Sequence, residues 1–371
     1  MSTAPAAVPV PVVVVDDSPV QRRFVRAALE AEHDFTVVGE ARNGREAVAL
    51  VARLRPAAVL MDLDLPLMGG IEAIEHIMAG SPTPILVCSA FVDGPGSANA
   101  LASLAAGAVD VLAKPGPDDT GSLAEHAEVL RRRMRVTARA RVITHPRGRL
   151  RSRGLDPGVV VPVADRPRPV EAYDVEAREG VKLLVIGAST GGPQALLTVL
   201  SGLPADLPQA VLVVQHMAEG FVPGLAAWLD ELVPLPVGVG QSGRRLEPGT
   251  VTIAPSGGNL LVQDARLRVL CTPPEPGQFH VPGIDATLLS VAAALGPDAV
   301  GVVLTGMGRD GAIGLKAMRE RGAATIGQDE ATSAVYGMPA AAHAAGAVEQ
   351  QLPVGSIAGA LRALLGREVA P

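Results

Sequence analysis

The sequence predicts an α/β protein of two doubly wound domains, and three observations carry that expectation. Short apolar runs rich in Val, Leu and Ile alternate with helix-patterned segments along most of the chain. One stretch dominated by Arg and Pro interrupts the alternation. The 371 residues are 48% hydrophobic but only 2% aromatic, so there is material for two cores and both must be aliphatic.

In chain order, the β-branched run Val12–Val15 reads as a strand, Pro19–Glu30 as a helix and Thr36–Glu40 as a short strand. Gly44–Leu54 reads as a helix, Ala58–Met61 as a strand and Gly70–Met78 as a helix. Ile85–Ser89 follows as a strand, Ser97–Ala106 as a helix and Val109–Ala113 as a strand. Five strands with helices between them, in about a hundred residues, imply a parallel five-stranded sheet covered on both faces. Ser122–Ile143 can continue as an amphipathic helix. Arg131–Arg153 then holds ten arginines and no acid, and Pro and Arg stay frequent to Arg178. Without interleaved aromatics for base stacking, this stretch reads as a solvated linker and not as a nucleic-acid surface.

The alternation resumes at Val181. Val181–Ile186, Val211–Val214 and Val300–Leu304 read as strands, Gln194–Leu200 and Ala312–Arg321 as helices. Pro234–Gly240 and Cys271–Gly283 read as Pro/Gly-rich loops. The expected organisation is a disordered N-terminus over residues 1–9, a first domain over 10–128, a linker over 129–180 and a second domain over 181–367.

Several classes are disfavoured. A formal net charge of −6 leaves no basic footprint for nucleic acid over the whole molecule. Cys88 and Cys271 lie in different domains without metal-ligand spacing and read as small buried hydrophobes. Met1–Pro11 lacks a basic n-region and is broken by prolines, so it does not read as a signal peptide. No uninterrupted apolar run reaches membrane-spanning length, and a cytoplasmic protein without membrane insertion is expected.

Two groups of polar residues stand at strand ends, where ligands sit in open parallel sheets. In the first domain Asp16 and Asp17 close the first strand, Asp62 the third, Ser89 the fourth and Lys114 the fifth. Three carboxylates in one pocket repel unless a hard cation joins them, and oxygen-only ligation suits Mg²⁺. One carboxylate could then attack a phosphoryl donor, with Lys114 and Ser89 contacting the transferred group. Any one of these acids alone would be an ordinary loop residue; five such groups in register are not.

In the second domain Gly187-Ala188-Ser189-Thr190-Gly191-Gly192-Pro193 follows one strand, Gln215-His216 another, and Thr305-Gly306-Met307-Gly308-Arg309-Asp310-Gly311 a third. Ser189, His216 and Asp310 supply a nucleophile, a base and an orienting carboxylate. The glycines around them leave room for backbone N–H groups at an oxyanion, with Met307 a candidate donor. Taken singly, Ser189 could be a helix cap, His216 a satisfied strand-end histidine and Asp310 a cap of the helix from Ala312. The order Ser–His–Asp and the lack of a Gly-x-Ser-x-Gly elbow disfavour a standard α/β-hydrolase. A dinucleotide loop is disfavoured by the glycine spacing.

These residues also carry family resemblances. Asp62-Leu63-Asp64-Leu65-Pro66-Leu67-Met68-Gly69-Gly70 and Gly107–Pro115 resemble the phosphoacceptor and closing segments of response-regulator receivers, a flavodoxin-like fold. That resemblance implies phosphorylation of Asp62, Mg²⁺ on Asp16, Asp17 and Asp62, phosphoryl contacts from Ser89 and Lys114, and a cis Lys114–Pro115 bond. Val111 replaces the usual switch aromatic. Ile186–Pro193, Gln215-His216-Met217, Leu304–Ala312 and Gln328–Pro339 resemble the chemotaxis protein-glutamate methylesterase family (CheB). The resemblance implies hydrolysis of glutamate γ-methyl esters on chemoreceptors and deamidation of receptor glutamines. It makes Ser189 the nucleophile, His216 the base and Asp310 the orienter, with no cofactor in the esterase site. A chemotaxis histidine kinase would be the phosphodonor, and the protein a monomer. Three positions depart from the family pattern: Ala218 for a proline, Asn259 for a histidine, and Val281 in a segment that usually carries an arginine.

Overall fold

The computed structural model describes residues 8–89, 95–114, 123–142, 177–217, 220–278 and 280–366. They belong to two compact units, residues 1–163 and 164–371. The N-terminal residues 1–7, the Arg/Pro stretch over 143–176, the Lys114–Pro115 bond and Ala218 lie outside the described residues.

In the first unit, β1 (Val10–Val15), β2 (Phe35–Ala41), β3 (Ala58–Met61), β4 (Ile85–Ser89) and β5 (Asp110–Ala113) form a parallel sheet in the order β2-β1-β3-β4-β5. The helices α1 (Pro19–Glu30), α2 (Gly44–Leu54), α3 (Gly70–Gly80), α4 (Pro95–Ala105) and α5 (Leu123–Thr137) alternate with the strands. Val12, Val14, Leu60 and Leu86 pack with Val25, Leu29, Leu130 and Met134 in one core layer. Five parallel strands with intervening helices are what the sequence predicted.

Two expectations change here. Helix α5 stops at Thr137 instead of Ile143, and residues 129–137, assigned above to the linker, belong to it. Leu130 and Met134 are the last large side chains that reach the core, and beyond Thr137 the chain closes into i→i+3 turns. Three arginines of the basic stretch are ion-paired with acids of this unit. Arg131 donates to the Ala28 carbonyl at 3.0 Å and pairs with Glu32 at 3.0 Å. Arg133 pairs with Asp110 at 2.7 Å, and Arg135 with Asp34 and Glu32 at 2.5 and 2.6 Å. The second change is Cys88, which is half-buried because it lines a cavity of about 340 Å³ between α1, α5 and the sheet. Its thiol is pushed up to about 12 by desolvation. Cys271 is half-buried as well.

The second unit holds a seven-stranded parallel sheet in the order β14-β13-β12-β6-β7-β9-β8. Its strands are β6 (Leu183–Ala188), β7 (Ala210–Gln215), β8 (Val237–Val239), β9 (Val251–Ile253), β12 (Ala299–Val303), β13 (Ala324–Gln328) and β14 (Gln350–Leu352). β10 (Asn259–Val262) and β11 (Val269–Thr272) form a separate antiparallel hairpin. The helices are α6 (Gly192–Ser201), α7 (Phe221–Asp230), α8 (Ile284–Leu295), α9 (Ala312–Glu320), α10 (Met338–Ala344) and α11 (Val354–Leu364). Strands β6, β7, β12 and β13 are buried along their whole length, as parallel strands covered on both faces must be. Both segments read as loops overlap strands: Val237–Val239 is an edge strand within Pro234–Gly240, and Cys271-Thr272, at the start of Cys271–Gly283, end the hairpin strand Val269–Thr272. Both strands are short and flanked by proline or glycine, which masked their period. Strand order reverses beside β6, because the chain builds β7, β9 and β8 on one side and β12, β13 and β14 on the other. That reversal opens a crevice at the carboxyl end of β6.

Candidate active site

The first unit gathers its polar residues at the carboxyl ends of its strands. Lys114 Nζ lies 2.7 Å from Asp16 Oδ2 and 2.6 Å from Asp62 Oδ2. The Ser18 and Leu63 N–H groups donate to the other oxygens of Asp16 and Asp62, at 2.9 and 2.8 Å. Asp17 is exposed, yet ligand oxygens of Asp16, Asp17 and Asp62 lie within 4.8 Å of one another. Ser89 is buried beside them, its carbonyl accepting the Lys114 N–H at 2.8 Å. Burial raises the Asp62 carboxyl above its ordinary value and the Asp16 charge adds to this, against the pull of Lys114. Burial would lower the Lys114 ammonium, but hydrogen bonds and charge from Asp16 and Asp62 hold it above its usual range. One lysine cannot neutralise three acids. A hard divalent cation fits this all-oxygen donor set. Val111, at the position of the switch aromatic, is buried in β5.

In the second unit, hydrogen bonds tie three strand ends at one level. The Leu304 N–H donates to Gly187 O, Ser189 N–H to Thr305 O at 3.0 Å, and His216 N–H to Ala188 O at 3.0 Å. The β6–β7 register pairs Ala188 with Gln215, so Ser189 and His216 are the next residues of two neighbouring strands. The buried Gln215 amide donates to the carbonyls of both, at 2.9 Å to Ser189 and 2.8 Å to His216. Two glycines make this possible. Gly191 holds φ +75°, and a side chain on Gly192 would stand 2.0 Å from Gln215 Oε1.

His216 Nε2 lies 2.8 Å from Asp310 Oδ2. Its Nδ1 is buried and has no hydrogen-bond partner. Asp310 is held on every side: Oδ2 also accepts the Ile284 N–H at 2.8 Å, while Oδ1 accepts Asp285 N–H at 2.8 Å and Gly311 N–H at 3.0 Å. Burial would raise its carboxyl, but the His216 hydrogen bond and charge, with the Asp285 and Ile284 amides, hold it below the ordinary value. Asp285 in turn accepts the Gly314 N–H at 2.7 Å, so each acid serves the other's helix.

The bland roles weighed for these residues do not fit. Helix α6 is capped by Gly191 with no side-chain hydrogen bond, so Ser189 is not its cap. A satisfied histidine would have a partner at Nδ1, and His216 has none. Asp310 receives the amides that open α8, the neighbouring helix. Ser189 Oγ and His216 share no hydrogen bond among those described. Met307 stands exposed in the β12–α9 loop.

Comparison with known proteins matches this architecture at both ends. Residues 12–125 match the response regulator receiver domain model, and residues 184–361 the CheB methylesterase model. A protein of Paramagnetospirillum magneticum named protein-glutamate methylesterase/protein-glutamine glutaminase 3 is 40% identical over 98% of this chain and 99% of its own length. A counterpart numbered 2 in Anaeromyxobacter dehalogenans is 42% identical over 98% and 99%. This chain belongs to the CheB family. The crystal structure of the Thermotoga maritima CheB methylesterase catalytic domain is 34% identical, covers 49% of this chain and 97% of its own, and superposes with a TM-score of 0.47.

Within this CheB chain, the departures from the family sequence have definite surroundings. Asn259 is buried and forms a reciprocal amide pair with Gln278, at 2.9 and 2.8 Å. Its Oδ1 also accepts the Gly283 N–H at 2.7 Å. Val281 precedes Pro282 through a cis peptide. Between them lies a residue the sequence did not single out. His280 stacks on His216 with ring centroids 4.6 Å apart and planes 9° from parallel. Gln215 was read only as part of a motif, and its clamp on two carbonyls was equally hidden. Nothing in the spacing of either residue signals the contact.

Proposed function

We propose that this chain is a phosphorylation-activated hydrolase that removes methyl esters from glutamate side chains of chemoreceptors and deamidates receptor glutamines. The observation that carries the esterase reading is the state of His216. One ring nitrogen holds Asp310, and the other is buried without a partner at the strand end beside Ser189. A buried, unpaired ring nitrogen at the strand end beside a serine is what a general base needs.

In this reading Ser189 Oγ attacks the ester carbonyl carbon while His216 Nδ1 takes the hydroxyl proton. Asp310 fixes the tautomer and stabilises the imidazolium through Nε2. The carbonyl oxygen becomes an oxyanion facing backbone N–H groups that include Met307. Collapse of the tetrahedral species breaks the C–O bond, His216 gives its proton to the departing methoxide, and methanol leaves. Water, deprotonated by the same nitrogen, then releases the glutamate and restores Ser189. With a glutamine side chain the leaving group is ammonia. No cofactor enters these steps.

In the receiver, Asp62 is the phosphoacceptor. Its carboxylate attacks phosphorus on a histidine-kinase donor and the donor's P–N bond breaks. Asp16, Asp17 and Asp62 would hold Mg²⁺, which when bound supplies positive charge against the phosphoryl oxygens. Lys114 and Ser89 take the remaining oxygens. Phosphorylation adds roughly two negative charges to this pocket. Drawing Lys114 and Ser89 towards them repacks the adjoining loops and lifts the receiver's restraint on the esterase unit. A cytoplasmic site of action agrees with the described helices, none of which is long and apolar enough to cross a membrane.

Methanol release from methylated receptor membranes, with and without a small phosphodonor and Mg²⁺, tests the reading. Wild type should be stimulated. Asp62→Asn should keep its basal rate and lose the stimulation, and Lys114→Ala should take up phosphate without being activated. Full stimulation of Asp62→Asn would place the phosphoacceptor elsewhere.

A further inference from the structure

The segment 280–285 contacts both members of the His216–Asp310 pair. From one end, the Ile284 and Asp285 amides hold Asp310 in place, at 2.8 Å each. From the other, His280 lays its imidazole flat against His216 at a centroid distance of 4.6 Å. Such a spacing lies within the range in which flat rings attract. The contact is one-sided in exposure: His216 is 8% exposed, whereas His280 stands at the surface. Burying His280 is therefore not what the arrangement achieves.

The loop that carries His280 is itself anchored. Gln278 Nε2 donates to the His280 carbonyl at 2.6 Å and to Asn259 Oδ1 at 2.8 Å, and that oxygen also receives the Gly283 N–H at 2.7 Å. Gln278 thus holds the His280 carbonyl, and the buried Asn259 holds both Gln278 and the Gly283 N–H three residues further on. A base that exchanges protons needs its plane fixed as well as its position. The hydrogen bond from Nε2 to Asp310 fixes one point of the His216 ring, and Nδ1 has no partner to fix a second. Rotation about the Cβ–Cγ bond and tilt about the Nε2 contact remain, and a flat ring against one face opposes both.

We propose that His280 is a positioning residue of the esterase site: its stacked ring fixes the plane in which His216 exchanges a proton with Ser189. The assignment rests on the reading of His216 as the base. The role needs a flat ring and not a titrating nitrogen, which separates it from catalysis and from substrate binding.

The test measures kcat and KM for methyl-ester hydrolysis by the full chain, activated with phosphodonor, in His280→Ala, His280→Phe and His216→Ala. Loss of the stack in His280→Ala should lower kcat about ten- to a hundred-fold with KM near the wild-type value, as misorientation of a reacting group does. His280→Phe should recover most of that loss. The proposal is overturned if His280→Ala keeps wild-type kcat, if it raises KM alone, or if His280→Phe is as slow as His280→Ala. His216→Ala separates the two levels. An active His216→Ala removes the base assignment itself, whereas an inactive one beside an unimpaired His280→Ala removes only the role of His280.

Discussion

Replacing Asp310 by asparagine should switch the tautomer of His216, and the size of the effect follows from four hydrogen bonds. Oδ1 accepts two amides, from Asp285 and Gly311, while Oδ2 accepts one amide, from Ile284, and faces His216 Nε2. Asparagine has one carbonyl oxygen, and the two amides at Oδ1 draw it there. Its NH₂ group then faces both the Ile284 N–H and His216 Nε2. Nε2 must become an acceptor, so the ring proton moves to Nδ1, the nitrogen that should receive the Ser189 proton. A wrong-tautomer base costs about 10⁴ in kcat where the same change has been made in a triad. Leaving the Ile284 amide unpaired costs about 1–3 kcal/mol, and in a unit of this size each kcal/mol is about 2–4 °C in Tm. The loss should also depend on pH. Asp310 is ionised below the ordinary carboxylate range in the fold, so its contribution is complete above its unfolded pKa and lost as pH falls through the folded one. The Tm gap between wild type and Asp310→Asn should therefore be widest at neutral pH and close below about pH 4. Methanol release and thermal melting measured from pH 3 to 7 check both parts. An asparagine variant within tenfold of wild-type kcat, or one whose Tm gap widens in acid, would refute the reasoning.

Other variants separate the parts of the machine. Ser189→Ala should abolish hydrolysis while leaving the melting curve of the unit nearly unchanged, because α6 takes no side-chain cap from it; hydrolysis surviving in that variant would remove Ser189 as nucleophile. Gly192→Ala drives a methyl to 2.0 Å from Gln215 Oε1 and 2.9 Å from Ala188 Cβ, so it should cost about 1–3 kcal/mol by overpacking. It should also slow hydrolysis, since Gln215 can no longer hold the Ser189 and His216 carbonyls together; calorimetry and the esterase assay read the two effects. A fragment beginning near Val181 should hydrolyse receptor esters faster than the unphosphorylated full chain, and equal rates would show that the receiver imposes no restraint.

Local sequence determined the parts of this protein that repeat a simple period. Unbroken apolar runs at Val12–Val15, Ala58–Met61 and Val211–Val214 are strands because central parallel strands are buried on both faces, which demands apolar residues at every position. The strand ends were legible for the same reason. Where such a run stops at a polar residue, that residue stands at the carboxyl end of its own sheet, where ligands bind in open parallel sheets, and Asp16, Asp62, Ser189 and His216 all stand at such stops. Short strands at an edge or in a hairpin carry no such demand, so Val237–Val239 and the last two residues of Val269–Thr272 looked like loop. The fate of the arginines was equally illegible. Arg131, Arg133 and Arg135 are ordered by Glu32, Asp34 and Asp110, acids that are remote in the chain. Tertiary structure alone decided which nitrogen of His216 meets Asp310, that Asp310 receives the opening amides of α8, and that His280 lies flat on His216. Those outcomes depend on the angle at which one loop crosses another. Sequence records the residues of each loop, but the crossing is set by the packing of the helices behind them.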